Sequence, residues 1–298
     1  MIALIVATIC TAFFSIFFKI FQLKGIDVRQ AIIFNYLTAF ILGCLLSFNF
    51  ESRIQVNPLK SSWFAYAVLI GIVFYLGMVV LSSSTLRAGV TITTVCSRAS
   101  MIIPILICFL FIPGSATPKW IPMIIAFISL FLIIYDGKDA KKSHTVIGKY
   151  LMPFFVFITF GATNSCMKIM QYNISKANID APEYLVNQEL SMLSATIFLS
   201  AMFTGIIYGS FGWKGKRAAF QIKNLLGGIG LGACNFFCTY LLMISMKSID
   251  SSFLFPFHNI GVVLIGALIG WLAFHEKLRP HQIIGMVLAI ITIWWLSA

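Results

Sequence analysis

The chain has 298 residues, 60% of them hydrophobic and only 10% charged, with a mean hydropathy of +0.97. Soluble domains carry roughly 25% charged residues, so this composition excludes a water-soluble globular fold. The formal charge of +12 sits mainly in short loops between apolar runs, with no basic helix or aromatic RNA-binding pattern, which excludes nucleic acid as a partner; membrane proteins with basic cytoplasmic loops reach the same balance.

In chain order, apolar runs predict ten helical segments at about 2–21, 31–49, 63–85, 90–112, 120–135, 149–171, 184–208, 222–246, 251–274 and 281–297. An apolar helix of about 20 residues spans the hydrocarbon of a bilayer. The first run lacks the basic start and small-residue cleavage site of a secretory signal, so it reads as an uncleaved first span. It carries Thr8, Thr11, Ser15 and Lys19 in one stripe, spaced 3, 4 and 4. Asn35 lies in the second segment. The fourth carries Thr91, Thr94 and Arg98. Arg98 sits eight residues into its segment, a depth of about 12 Å at 1.5 Å per residue. A charge in hydrocarbon costs several kcal/mol, and this depth makes snorkelling difficult. Arg98 therefore reads as facing a cavity, with a backbone hydrogen bond as the structural alternative.

The polar stretch 136–149 is the natural linker between two halves. Beyond it, the sixth segment repeats the polar stripe with Gly161, Asn164, Lys168 and Gln171. Lys19 and Lys168 lie near segment ends, where snorkelling competes with a cavity role. The seventh segment holds Gln188 and Glu189, the one acidic residue clearly within an apolar run. Asn235 and Tyr240 lie in the eighth, with Gly228 and Gly232 at a spacing that permits close helix approach. The ninth holds Ser251, His258 and Asn259, together with Gly266 and Gly270 at the same spacing. Packing within the bundle is the first reading of these glycine pairs and homodimerisation the second. Pro104 and Pro256 withhold a backbone donor from the carbonyls of Ser100 and Ser252.

All seven cysteines fall inside apolar runs and read as small buried hydrophobes. Cys234 and Cys238 are one turn apart, but no His or further Cys lies near them in sequence, so neither a metal nor a cofactor is expected. No Ser-His-Asp arrangement or nucleotide-binding loop appears, which argues against an enzyme or an ATP-driven pump.

The halves repeat in register. Ser15 and Lys19 match Ser165/Asn164 and Lys168; Asp27 matches Asp180, placing Asn35 opposite Gln188; Leu86-Arg87 matches Met246-Lys247, placing Arg98 opposite His258. Five segments per half is odd, so the halves, 1–143 and 144–298, are expected to insert with opposite orientation. The expected fold is an all-α integral membrane protein of ten spans in two inverted five-helix repeats, a common transporter plan with its site near the midplane.

The closing stretch, Phe274-x-Glu276-x-Leu278-x-Pro280-x-Gln282-x-x-Gly285, resembles the end signature of EamA-type permeases of the drug/metabolite transporter superfamily. The resemblance implies ten helices in two five-helix repeats and a secondary transporter, an exporter in a bacterial inner membrane. The turn at Phe111-Ile112-Pro113-Gly114-Ser115 has no counterpart of Glu276, so that Glu is read as serving a loop. The Ser-Ile-Phe-Phe-Lys end of the first segment resembles the related small multidrug resistance family, but Thr11 and Phe160 stand where that family carries its proton- and drug-binding Glu. The resemblance implies cytoplasmic termini, whereas thirteen loop Lys and Arg lie on the side opposite the termini against five on their own, which favours the reverse.

Arg98, His258, Lys19 and Lys168 are expected to line a substrate site, with Asn35, Asn164, Gln188, Asn235 and Tyr240 near it. Cations with so few intramembrane carboxylates call for an anionic partner, and Arg offers a carboxylate or phosphate two parallel donors. The substrate is therefore expected to be a small anionic or zwitterionic metabolite, an amino acid or organic acid. His258 and Glu189 are the candidates for proton coupling. A lipid-linked sugar or phospholipid flippase is the second transport reading, and a membrane-embedded enzyme or assembly scaffold the reading from another class.

Overall fold

A computed structural model describes residues 1–49, 57–88, 90–113, 117–134, 146–212, 221–274 and 279–297. Regular structure among them is helical throughout: α1 Ile2–Lys24, α2 Val28–Asn49, a short 3-10 turn Pro58–Lys60, α3 Phe64–Ala88, α4 Val90–Ala99, α5 Ile102–Phe111, α6 Trp120–Ile134, α7 Val146–Ala177, α8 Glu183–Gly212, α9 Ile222–Ser248, α10 Ser251–Phe274 and α11 Pro280–Ser297. Among the described residues, five stretches are long and apolar enough to cross a membrane, lying in α2, α3, α8, α9 and α10; α1, α5, α6 and α11 hold shorter apolar runs.

The chain forms two compact units, each drawing on two separate stretches of the sequence. One contains Ile2–Tyr75 and Met170–Lys247; the other contains Leu76–Ile169 and Ser248–Ala298. The polar linker expected at 136–149 lies outside the described residues as far as 145.

In the first unit, small residues let helices approach backbone to backbone. A Cβ on Gly232 would stand 2.5 Å from the Asn35 carbonyl of α2, and one on Gly228 would run into the Phe34 Cβ. The Gly228/Gly232 pair therefore packs inside the bundle. Gly43 of α2 meets Ala195 of α8 in the same way. Hydroxyl and amide side chains reinforce these crossings by donating to backbone carbonyls: Ser191 to Gly43 at 2.9 Å, Ser200 to Val68 at 2.7 Å. Without a hydrophobic drive between helices in lipid, close packing and such bonds hold a bundle together. The α1–α2 turn closes on Gly25 at φ +59, a left-handed position that glycine takes without strain, and the Ile26 N–H bonds back to the Phe21 carbonyl at 2.9 Å. Asn224 of α9 pins this turn, accepting from the Asp27 N–H at 3.0 Å and donating to the Gln30 amide at 2.8 Å.

The second unit contains one departure from the sequence reading. The run 90–112 is not a single helix but breaks at Ser100–Met101 into α4 and α5. Pro104 offers no N–H to the Ser100 carbonyl, and the chain tightens instead of kinking. Met101 bonds to the Arg98 carbonyl and Ile103 to that of Ser100, each three residues back. The Ser100 carbonyl is thus taken, contrary to expectation. Pro256 in α10 is accommodated without a break. Gly266, expected at a close crossing, faces open space.

The EamA-like motif has a structural explanation here. Pro280 starts α11, where its missing donor costs nothing. The Gln282 side chain accepts from the Arg279 N–H at 2.9 Å, one arm of a capping box, and donates to the Ile133 carbonyl of α6 at 3.1 Å. Gly285 then permits contact with α6, since a Cβ there would lie 2.8 Å from the Leu132 Cβ. Residues 275–278 of the motif lie outside the described residues.

Candidate functional site

The second unit gathers charged residues around the broken helix. α10 runs antiparallel to α4–α5, so its first turn meets α5 and its middle meets α4. At the first turn, Asp250 caps the helix by accepting from the Ser252 N–H at 2.7 Å. Ser251 next to it donates to the buried Cys108 thiol of α5 at 3.3 Å. Lys168 of α7 is buried, 9% exposed, within electrostatic reach of both Cys108 and Asp250. Asn164, one turn earlier on α7, is half-buried.

Two turns further along α10 stand His258 and Asn259, each 7% exposed. Arg98, on the last turn of α4 before the break, donates from Nη1 to the Asn259 Oδ1 at 3.4 Å. Its charge also acts on His258. Arg98 is partly buried, and its Nε is fully so. The structure therefore places Arg98 beside Asn259 and within electrostatic reach of His258, and Lys168 near Asp250 and Cys108. Discontinuous helices that carry polar groups at mid-membrane are a recurrent setting for transporter sites.

Three participants were missed as site residues. Asn259 was noted as polar but not assigned a role. Asp250 was overlooked because it lies outside the apolar run, although an Asp just before such a run signals a helix N-cap. Cys108 was read only as a buried hydrophobe.

The other predicted residues lie in the first unit. Asn35 and Asn235, 2% and 4% exposed, bond to each other at 3.1 Å between α2 and α9. Gln188 is fully buried and donates to the Ser47 carbonyl at 2.9 Å. Tyr240 stacks on Phe236 of the same helix at 5.6 Å. Glu189 accepts from the Trp63 indole at 2.7 Å and from the Asn178 amide at 2.8 Å, tying the start of α3 and the end of α7 to α8. Lys19 lies on α1, its side chain outside the described residues. Among the described residues, no group of three or more His, Cys, Asp or Glu is placed to hold a metal.

An uncharacterised protein of Haemophilus influenzae is 26% identical over 98% of this chain and 96% of its own length. A solved crystal structure of a protein shares 10% identity and superposes with a TM-score of 0.73, covering 99% of this chain and 96% of the other; at that identity it shows a shared fold. Residues 182–298 match the EamA-like transporter family. That stretch, which includes the Gln282–Gly285 motif and His258 and Asn259, is similar to the EamA-like transporters, and together with the apolar helices it supports a multi-pass membrane protein of the drug/metabolite transporter type.

Proposed function

We propose that the chain is a secondary transporter, an exporter of small polar metabolites that carry a carboxylate, amino acids or organic acids, across a bacterial inner membrane. The observation that carries the reading is Arg98. A guanidinium stands on the last turn of a helix broken within an apolar run, next to neutral Asn259 and His258. A guanidinium in this setting suits a carboxylate on the substrate, to which it offers two parallel charge-assisted bonds. Lysine cannot present that fork.

Ten spans in two inverted repeats, 1–143 and 144–298, remain part of this proposal. The matched order of polar residues in the two halves supports it, as does the pairing of Arg98 with the neighbourhood of His258. His258 is proposed as the residue that couples transport to protons.

The test is uptake into sealed proteoliposomes of radiolabelled alanine, succinate and phosphate, each run separately. Arg98→Gln and Arg98→Lys are expected to reduce uptake at least tenfold while the protein purifies and melts as the parent does. Parent-rate uptake by Arg98→Gln would sink the anion site. Chemical conversion of the solute, in place of its movement, would favour an enzyme.

A further inference from the structure

We infer that Lys24 and Lys223 form a headgroup site for an acidic phospholipid, with an acyl chain laid along the exposed apolar face of α9. The two lysines are 199 residues apart in sequence, and packing in the first unit brings them together. Glycines of α9 receive aromatic rings of α1. A Cβ on Gly227 would stand 2.9 Å from the Phe21 ring, and one on Gly230 would stand 2.9 Å from that of Phe17. This register runs the two helices antiparallel and sets the end of α1 beside the start of α9. There Lys223 donates from Nζ to the Lys24 carbonyl at 3.4 Å. The backbone carrying both lysines is set by the fold. Gly25 holds its left-handed φ, the Ile26 N–H returns to the Phe21 carbonyl, and buried Asn224, next to Lys223, holds Asp27 and Gln30. A headgroup therefore meets a preorganised pair.

Charge and surface together select the ligand. Both lysine side chains are exposed. An ammonium carries three donors, and the Lys24 carbonyl takes one of those on Lys223. Among the described residues neither lysine is in an ion pair. Asp27, the carboxylate of this turn, accepts from the Gln30 N–H at 3.4 Å at the start of α2. Two like charges on adjoining backbone repel each other, and a phosphate between them turns that repulsion into attraction. The surface beside the pair favours a lipid over a free anion. The apolar run of α9 begins at Ile222, so Lys223 stands at the edge of the hydrocarbon, where a long cationic side chain reaches the headgroup layer. Ile222, Leu226 and Ile229 form one exposed stripe below it, and Leu23 beside Lys24 is exposed as well. An ammonium pair at the head of an apolar stripe is complementary to a phosphodiester joined to acyl chains, and basic pockets between membrane helices are known to hold acidic headgroups.

The experiment titrates the purified full chain in a neutral detergent with dioleoylphosphatidylglycerol, dioleoylphosphatidylcholine or inorganic phosphate. The readout is the concentration that gives half of the maximal rise in Tm. Parent, Lys24→Gln, Lys24→Glu and Lys223→Gln are compared, with Lys60→Gln as a control at another exposed lysine of the same unit. The parent is expected to respond to phosphatidylglycerol at a concentration about tenfold or more below that for phosphatidylcholine, and each loss of a lysine to weaken that response about fivefold. Lys24→Gln keeps the backbone carbonyl that Lys223 holds, so it should melt as the parent does without lipid. Lys24→Glu pairs with Lys223 and should abolish the preference for the acidic lipid. Lys60→Gln should retain it. Equal responses of the parent to both lipids overturn the inference, as does a preference that survives in Lys24→Glu. A loss in Lys60→Gln as large as that in Lys24→Gln would reduce the effect to bulk charge and overturn it too. Inorganic phosphate that raises the parent Tm as far as phosphatidylglycerol does would assign the pair to a soluble anion and remove the lipid. If Lys223→Gln does not fold, the two Lys24 variants decide by the same criteria. No arm measures transport, so the outcome is separate from the reading of Arg98.

Discussion

The two units use buried polar groups in opposite ways. In the unit built from α1, α2, α8 and α9, they are neutral amides and hydroxyls bonded to backbone or to each other: Asn35 to Asn235, Gln188 to the Ser47 carbonyl, Ser191 to the Gly43 carbonyl. They sit where glycines already bring helices into backbone contact. In the unit that holds α4, α5, α10 and most of α7, the polar groups include the partly buried Arg98 and the buried Lys168, and the helix carrying Arg98 is broken. Neutral bonds at small-residue crossings fix one packing at modest energetic cost. Cations in an apolar bundle cost far more to hold, and are placed where a substrate or a carboxylate compensates them. On the proposed function, the first unit serves as scaffold and the second as the working site.

The comparison breaks most visibly at the glycines. Gly232→Leu forces a side chain into the Asn35 carbonyl and the Thr38 Cβ. Overpacking typically costs 1–3 kcal/mol, occasionally more, and rigid backbone on the receiving side puts this variant at about 3 kcal/mol or beyond. Little monodisperse protein should survive detergent extraction. Gly266→Leu, which meets open space in the other unit, should melt within a few degrees of the parent. Equal losses from both would erase the distinction between the units.

His258→Gln tests the working unit without its main charge. The variant keeps size and hydrogen bonding but cannot take a proton. An imposed pH gradient should drive uptake about tenfold less well in proteoliposomes, while gradient-free exchange and Tm stay near parental values. Full gradient-driven uptake would move the coupling role elsewhere, with Glu189 next in line.

Glu189 is the sharper case, because it is a carboxylate inside the scaffold unit. Its contacts with Trp63 and Asn178 assign it to holding helix ends. Hydrogen bonds to charged groups contribute roughly 1.5–3 kcal/mol. Glu189→Gln should lower stability by about 2 kcal/mol and leave the pH dependence of transport unchanged. An altered pH profile at parental Tm would make it a proton carrier.

Much of this was legible in sequence. Hydropathy runs located the helices because each must satisfy its own backbone in lipid. The sequence register set Arg98 against His258, and in the structure Arg98 bonds to the neighbouring Asn259. The break after Arg98 was not legible. Pro104 and Pro256 look alike in sequence, yet one ends a helix and the other is absorbed within α10. Ser97 and Ser100 bond back to carbonyls three residues earlier beside the first, a local choice that periodicity does not encode. Gly228 and Gly266 carry the same spacing signal, and only packing decides which one meets a neighbour. The scaffold role of Asn35, Asn235 and Gln188 was hidden for a related reason. A polar residue in an apolar run announces that it needs a partner, but not whether the partner is another helix or a substrate.

The smallest expected effect settles that question for the Asn35–Asn235 pair. If the pair is scaffold, each single leucine substitution strands one buried amide, while the double substitution removes both polar groups together. Removing one partner of a buried bond costs the desolvation of the other, about 1–3 kcal/mol, whereas replacing both can be nearly neutral. Interhelical hydrogen bonds in membrane proteins average about 0.6 kcal/mol in double-mutant cycles, with a maximum of about 1.7. Asn35→Leu and Asn235→Leu should each lower stability by about 1 kcal/mol. The double variant should fall short of their sum by about 0.6 kcal/mol, and all three should keep parental substrate affinity once folded. Packing sharpens the test, since Leu matches Asn in heavy-atom count but is bulkier and tetrahedral at Cγ, and Asn35 lies beside the tight Gly232 crossing. Asn35→Asp controls for packing there, because it keeps the shape and the oxygen that accepts from Asn235 while exchanging the amide donor for a carboxyl oxygen. A double variant that regains stability but loses uptake would move the pair from scaffold to substrate site, and the first unit would share the chemistry now assigned to the second.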